Sequence, residues 1–188
     1  METTEKKYEL TDETIEAFGR TLYRIKALRD FGGIKTGDLG GFIEKEENLS
    51  HIDNAWVYYN ALVYGDAQVF GNAMVFGNAR VFGNASVYGR TMVCGHARVC
   101  GDSEVCGNAE VCSDSDYILF KNWWSSGRFF TWTRSNNMWK VGCFYGTGEQ
   151  LIEKAYKDSE LSGREYERVV RYVESILADE KKVGTDYI

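Results

Sequence analysis

The chain has 188 residues, a net charge of −6 and no proline. That length holds one or two small domains with a real core, and the negative charge argues against nucleic-acid binding over the whole surface. No apolar stretch is long enough to span a membrane, and the charged start from Met1 to Glu9 does not read as a signal peptide.

The N-terminal segment reads as a hairpin, with strands Thr14 to Phe18 and Thr21 to Ala27 around a Gly19-Arg20 turn. A short helix over Asp12 to Phe18 competes with it. Gly32-Gly33 and Gly37-Asp38 read as turns. Leu39, Phe42 and Ile43 then form a first, irregular coil, with Leu49 continuing its inward register. This segment is expected to cap the element that follows, because a terminal coil with an open strand edge invites aggregation. Glu44 to Glu47 reads as a solvated charged loop.

From Asp53 to Ile118 the chain repeats every six residues, as in Gly71-Asn72-Ala73-Met74-Val75-Phe76 followed by Gly77-Asn78-Ala79-Arg80-Val81-Phe82. A short fixed period of this kind predicts a parallel β-helix. Within each repeat Ala and Val are two apart and so point the same way, into the prism. The inward series runs from Val57 to Val111, with Ala55 to Ala109 as partners and Thr91 and Ser103 standing in for Ala. Gly-Asn and Gly-Asp pairs supply the corners, where a positive φ is needed. Three repeats per triangular coil, the left-handed form this pattern resembles, stack residues eighteen apart at about the strand spacing of 4.8 Å.

Three outer faces follow. The first carries Trp56, Tyr58, Met74, Phe76, Met92, Cys94, Glu110 and Cys112. The second carries Leu62, Tyr64, Arg80, Phe82, Arg98, Cys100 and then Asp116, and the third Gln68, Phe70, Ser86, Tyr88, Glu104 and Cys106. The first is the most apolar, and an apolar stripe facing solvent marks an interface. Either the chain's own C-terminal segment covers it, or it joins copies into an oligomer. Asn60, Asn78, His96 and Asp114 share one corner column.

The cysteines are Cys94, Cys100, Cys106, Cys112 and Cys143. An odd number with no secretory signal reads as a reduced, cytoplasmic protein. Four of them lie six apart at one repeat position, which is not the close-pair spacing of a zinc site. They are expected to fill that position, and no metal or cofactor is expected.

Beyond the repeats, Tyr117 to Trp124, Arg128 to Arg134 and Met138 to Phe144 read as three antiparallel strands separated by turns at 125–127 and 135–137. Trp123, Trp124, Phe129, Phe130, Trp132, Trp139 and Phe144 are interleaved here with Lys121, Arg128, Arg134 and Lys140. Such a mixture can stack bases or grip phosphates, so nucleic-acid contact belongs here if anywhere. More often the rings pack on a helix and the cations stay in water. Thr147 and Gln150 form a capping box for a helix whose apolar side is Leu151, Ile152, Ala155 and Tyr156. Gly163 precedes a second helix with Tyr166, Val169, Val170, Val173, Ile176 and Leu177 as its core stripe. The tail from Asp179 is expected to fray. The expected architecture is mainly β: an N-terminal hairpin cap over 1–33, a left-handed parallel β-helix over 34–118 and an α+β domain over 119–188.

The run from Thr21 to Phe31, then Lys35 to Glu44 and Asn48-Leu49-Ser50, together with the Gly-Asn-Ala repeats, resembles a family of small hexapeptide-repeat proteins common in phage and prophage genomes. Val141 to Thr147 also resembles that family's C-terminal domain. The family is often labelled polymer-forming or hypothetical, and it supplies no catalytic residue. The resemblance implies a phage origin and a non-enzymatic role in the host bacterial cell, where small phage proteins block defences such as CRISPR systems.

Four functions are weighed. The first is a binding protein that occludes a host protein or nucleoprotein complex, through Trp56, Tyr58, Met74, Phe76 and Met92 or through Arg128, Trp132, Arg134 and Lys140. The second is a structural, self-associating column, a homo-oligomer through the apolar face. The third is a hexapeptide acyltransferase with His96 or His51 as general base, although nothing interrupts the coil to wall a donor pocket. The fourth is a sponge for a nucleotide messenger.

Overall fold

In the computed structural model, residues 5–123 and 126–185 are described, with side chains up to residue 180. Two compact units divide the chain, one of residues 1–119 with 131–136, the other of 120–130 with 137–188. Three strands come first, β1 (Tyr8–Ala17), β2 (Arg20–Ala27) and β3 (Leu39–Ile43). Ten two-residue strands follow as β4 to β13: Trp56–Val57, Leu62–Val63, Gln68–Val69, Met74–Val75, Arg80–Val81, Ser86–Val87, Met92–Val93, Arg98–Val99, Glu104–Val105 and Glu110–Val111. The last elements are β14 (Tyr117–Lys121), β15 (Phe129–Thr133), β16 (Met138–Val141), β17 (Phe144–Gly146), α1 (Gly148–Asp158) and α2 (Glu160–Thr185).

The repeats form a parallel β-solenoid in the register their period predicts. Trp56 pairs with Met74, Met74 with Met92 and Met92 with Glu110. Leu62 pairs with Arg80 and Arg80 with Arg98, and Gln68 pairs with Ser86 and Ser86 with Glu104. The Val and Ala series is buried along its length. Thr91 and Ser103 turn their hydroxyls back onto the carbonyls of Tyr88 and Cys100, at 2.7 and 2.8 Å, so neither leaves a buried polar atom unpaired. Corner glycines stack on corner glycines. A Cβ on Gly89 would sit 2.8 Å from the Gly107 carbonyl oxygen, at a backbone φ of +75°, so both space and conformation exclude a side chain there.

The hairpin is present and the competing helix is not. β1 reaches back to Tyr8, and the turn is Phe18-Gly19, one residue earlier than expected, with φ of 57° and 72° at its two residues. Those paired positive angles give the tight reversal whose twist suits two strands. β2 continues onto β3, and β3 onto the second solenoid face, so β1-β2-β3-β5-β8-β11 is one sheet. Leu39 is exposed, not inward. Phe42 pairs with Leu62 and so points outward, where it is buried with Leu22 and Tyr64. The hairpin tip adds Phe18 to a ring stack with Tyr64, at 5.4 Å, which itself lies 5.1 Å from Phe82.

The C-terminal segment holds four strands, in the order β14-β15-β16-β17, where three were expected. The extra one is made because Gly142, at a φ of 54°, turns the chain so that Phe144 pairs back to Val141. Trp124 and Ser125 of the expected first strand and turn lie outside the described residues. The capping box closes as read, with Thr147 Oγ1 accepting from Gln150 N–H at 3.3 Å and Gln150 Oε1 from Thr147 N–H at 2.9 Å. Gly163 lies inside α2 and not before it, and it is glycine because a Cβ there would meet the Tyr156 ring at 2.2 Å. α2 also runs past Asp179 to Thr185, where fraying was expected. Its buried stripe is Tyr166, Val169, Val170 and Val173. Phe130 meets Tyr166 and Trp139 edge-on at 4.7 and 6.5 Å.

Candidate functional site

A solenoid leaves its two ends chemically different. Each coil N–H donates to the carbonyl of the coil after it, as Trp56 does to Ala73 at 3.0 Å and Met92 to Ala109 at 2.9 Å. The first coil therefore keeps spare carbonyls, and the last keeps spare N–H groups. Donor side chains meet the carbonyls. Lys7 Nζ reaches Ala55 O at 2.7 Å, Tyr8 OH reaches Leu49 O at 2.7 Å, and Arg29 reaches His51 O at 3.2 Å. Asn48, fully buried, donates to the carbonyls of Gly65 and Ala67 at 3.0 and 2.8 Å.

Acceptor side chains meet the N–H groups. Asp114 takes Arg98 N–H at 2.8 Å, and Asp116 takes those of Cys112 and Ser113 at 2.8 and 2.7 Å. Thr131 Oγ1 takes Glu104 N–H at 3.0 Å, and Ser135 Oγ takes Glu110 N–H at 2.7 Å. The strand edges that would pair with another copy end to end are thus occupied at both ends. Sequence reading expected a cap at the N-terminal end but gave none of these residues a capping role, and all except Asp114 and Asp116 come from segments without a period. The Asp-Ser-Asp run at 114–116, where the Gly-Asn-Ala pattern stops, is the one local signal.

Burial perturbs the groups at the N-terminal cap. The Lys7 ammonium falls to about 8, through burial first and then the Arg29 charge. The Tyr8 hydroxyl is pushed up, mainly by burial. His51 lies stacked on Tyr8 at 4.3 Å and accepts Lys7 N–H at Nδ1, 3.1 Å away. Its Nε2 is 3.8 Å from Glu46, and burial pulls its pKa down. His51 therefore serves the cap. His96 is exposed, and Asp114 of its corner column bonds Arg98 instead, through Nε at 2.7 Å and Nη2.

The first outer face is covered in part by the N-terminal segment. Trp56 is 1 % exposed, with Phe31 edge-on at 5.3 Å and Tyr8 at 6.2 Å, so it cannot be a contact residue. Phe31 and Ile34 close a short bridge over the Gly32-Gly33 turn and bring the ring there. Below Trp56 the face stays open. Tyr58, Met74, Phe76 and Met92 are half-buried and, with Tyr59, line a groove of about 230 Å3. Tyr59, which the sequence reading did not single out, is 68 % exposed and has a φ of 53°. Further along the same face, Cys94 and Cys112 are joined as a disulfide with Cα atoms 4.4 Å apart. Reduced side chains were expected there. In-register stacking puts one repeat position of successive coils at bonding range. Cys100 and Cys106 stand on the other two faces, outside that disulfide.

The basic aromatic cluster does not gather into one surface. Trp132 is 1 % exposed and cannot be a contact residue either. Arg134 lies 6.0 Å over its ring and donates to Ser115 O at 3.2 Å. Lys140 Nζ bonds the Gly142 carbonyl. Arg128 remains exposed. Among the described residues no group of His, Cys, Asp and Glu side chains is placed to hold a metal ion, and no helix is long and apolar enough to cross a membrane.

Residues 67–81 match the family model of the YdcK beta solenoid repeat. The matched stretch runs from Ala67 through Val81, across β6, β7 and β8, and its likeness is to the solenoid repeat itself. No curated protein matches the chain.

Proposed function

We propose that this β-solenoid protein is a non-catalytic binding column that recognises a protein partner through the open part of its first face. The observation that carries the reading is the groove of Tyr58, Tyr59, Met74, Phe76 and Met92, left uncovered where the N-terminal segment stops at Trp56. Burial of each such side chain is worth about 1.5–3 kcal/mol. A rigid stacked scaffold loses little conformational entropy on binding. Occlusion of a host protein or nucleoprotein complex, as in inhibition of a host defence system, is the mode that the resemblance to phage-borne repeat proteins favours.

A second reading, structural self-association, is favoured by the same open face. Because both strand edges are occupied by side chains, that association runs side by side and not end to end. One experiment separates the two. Wild type and Phe76→Asp are used as bait in a bacterial lysate, and each is sized by light scattering. Capture of a specific protein by wild type, lost in Phe76→Asp, supports occlusion. A wild-type oligomer that Phe76→Asp converts to monomer supports self-association. A wild type that stays monomeric and captures nothing at any salt concentration defeats both.

A further inference from the structure

The 120–130 and 137–188 unit holds a cavity of about 330 Å3, lined by Arg128, Val141, Cys143, Phe144, Lys154 and Asp158. It lies within one unit and owes nothing to the solenoid face. Beside it runs a narrower crevice that shares Arg128, Val141, Phe144, Lys154 and Asp158 and adds Leu151, Ala155 and Tyr166. The mouth is therefore charged and the floor apolar, the usual make-up of a small-molecule site.

The charges at the mouth stand apart from the ion pairs of the two helices. On α1, Glu149 is bound by Arg171 at 2.5 Å and Glu153 by Lys157 at 2.7 Å. On α2, Arg171 also holds Glu174 at 2.8 Å, and Arg168 holds Glu165 at 2.7 Å. Among the described residues, Lys154 and Asp158, one turn apart on α1, have no such partner, and neither has Arg128. Arg128 is directed there by its neighbours. Its carbonyl accepts Asn122 N–H at 2.9 Å, and its side chain crosses Gly142, where an added Cβ would lie 3.6 Å from Arg128 Cδ. Lys140, which could compete, is tied to the Gly142 carbonyl.

We infer that this cavity binds a small organic monoanion, a carboxylate on an apolar body, with Arg128 and Lys154 holding the carboxylate and Val141, Phe144, Leu151 and Ala155 receiving the apolar part. A planar guanidinium suits a carboxylate because it can donate two parallel hydrogen bonds. Two cations against one carboxylate leave a net single positive charge, which one negative charge satisfies. A phosphate dianion would bring its second charge against Asp158, so the lining selects against it. The inference goes beyond the proposed binding column and stands or falls separately from it.

Cys143 supplies a reporter. It is exposed on the cavity wall, whereas Cys106 is buried and Cys100 half-buried. The test follows alkylation of Cys143 in the full chain, with titration of 3-phenylpropionate, its neutral amide 3-phenylpropanamide and inorganic phosphate. The expected result is saturable slowing by 3-phenylpropionate at millimolar concentration, with no effect of the amide. Arg128→Gln and Lys154→Gln should each weaken that effect about tenfold, with thermal midpoints unchanged. Asp158→Asn should allow phosphate to protect. Equal protection by acid and amide, protection surviving in Arg128→Gln, or none up to about 10 mM, a millimolar-Kd ceiling, overturns the assignment.

Discussion

Asn48→Ala tests whether side chains, rather than a further coil, complete the solenoid edge. Asn48 is fully buried and makes three hydrogen bonds, accepting Lys45 N–H at 3.0 Å and donating to Gly65 O at 3.0 Å and Ala67 O at 2.8 Å. Each carries about 1 kcal/mol net, and a buried group left without a partner costs about 1–3 kcal/mol, so alanine should destabilise by about 3 kcal/mol. For a chain of this size that lowers Tm by about 6–12 °C. A melt followed by circular dichroism reads it. Asn48→Asp keeps the acceptor for Lys45 N–H and loses both donors, so it should fall at least as far. A shift of less than about 2 °C in Asn48→Ala would mean that water or a rearranged loop serves those carbonyls equally well, and the edge argument would fail.

Other expectations follow from the same cap and from the helices. Lys7 has a folded pKa of about 8 against an ordinary 10.5, so the unfolded chain holds the proton more tightly and stability should rise from pH 8 toward 10. Lys7→Met should flatten that rise in urea titrations, and an unchanged slope would refute it. Tyr8, shifted upward by burial, opposes the rise only above its ordinary 10.0. His51 contributes with the same sign at lower pH. Its folded pKa lies below the ordinary 6.5, so stability should be lost as pH falls through that value, and His51→Asn, which keeps an acceptor for Lys7 N–H, should remove that limb. The eighteen-residue Cys94–Cys112 closure should make reduction cost about 3 kcal/mol, and Cys94→Ser should melt alike with and without reductant. Gly163→Ala would stabilise a free helix by about 1 kcal/mol. Here it should destabilise, because the Tyr156 ring, which bonds Glu167 at 2.8 Å, stands 2.2 Å from the new Cβ.

Legibility in the sequence followed periodicity. Every inward Val and every eighteen-residue pairing could be read, because one repeat constrains the next and a slip of one residue would turn the core outward. Where the constraint was aperiodic the reading missed. Trp56 occupies an outward repeat position and is buried because Phe31 and Tyr8 arrive from segments outside the repeat. Phe42, expected in the first irregular coil, points outward beside Leu62, and the neighbouring inward site belongs to Gly41, where a Cβ would meet Ala61 O at 2.6 Å. Gly163 looked like a helix boundary on composition, while a ring from another helix set the requirement. Trp132 looked like a stacking platform, yet a strand residue's exposure depends on what packs on both faces of its sheet.

The binding reading gains from what the caps do. A repeat with no intrinsic end would lengthen by adding copies, and the spare carbonyls and N–H groups are the means by which it would do so. This chain meets the carbonyls with Lys7, Tyr8, Arg29 and Asn48 and the N–H groups with Asp114, Asp116, Thr131 and Ser135. Donors at one end and acceptors at the other follow from the single direction of every inter-coil hydrogen bond. With those edges occupied, the proposed contact surface is the first face, whose upper part is sealed by Phe31 over Trp56 and whose lower part keeps the groove of Phe76 and both methionines. A substitution that strips the caps, such as Asp114→Ala with Asp116→Ala, should add end-to-end association visible in light scattering even when Phe76→Asp is also present. If the capless, Phe76→Asp protein stays monomeric, the side-chain caps are not what limits the column's length.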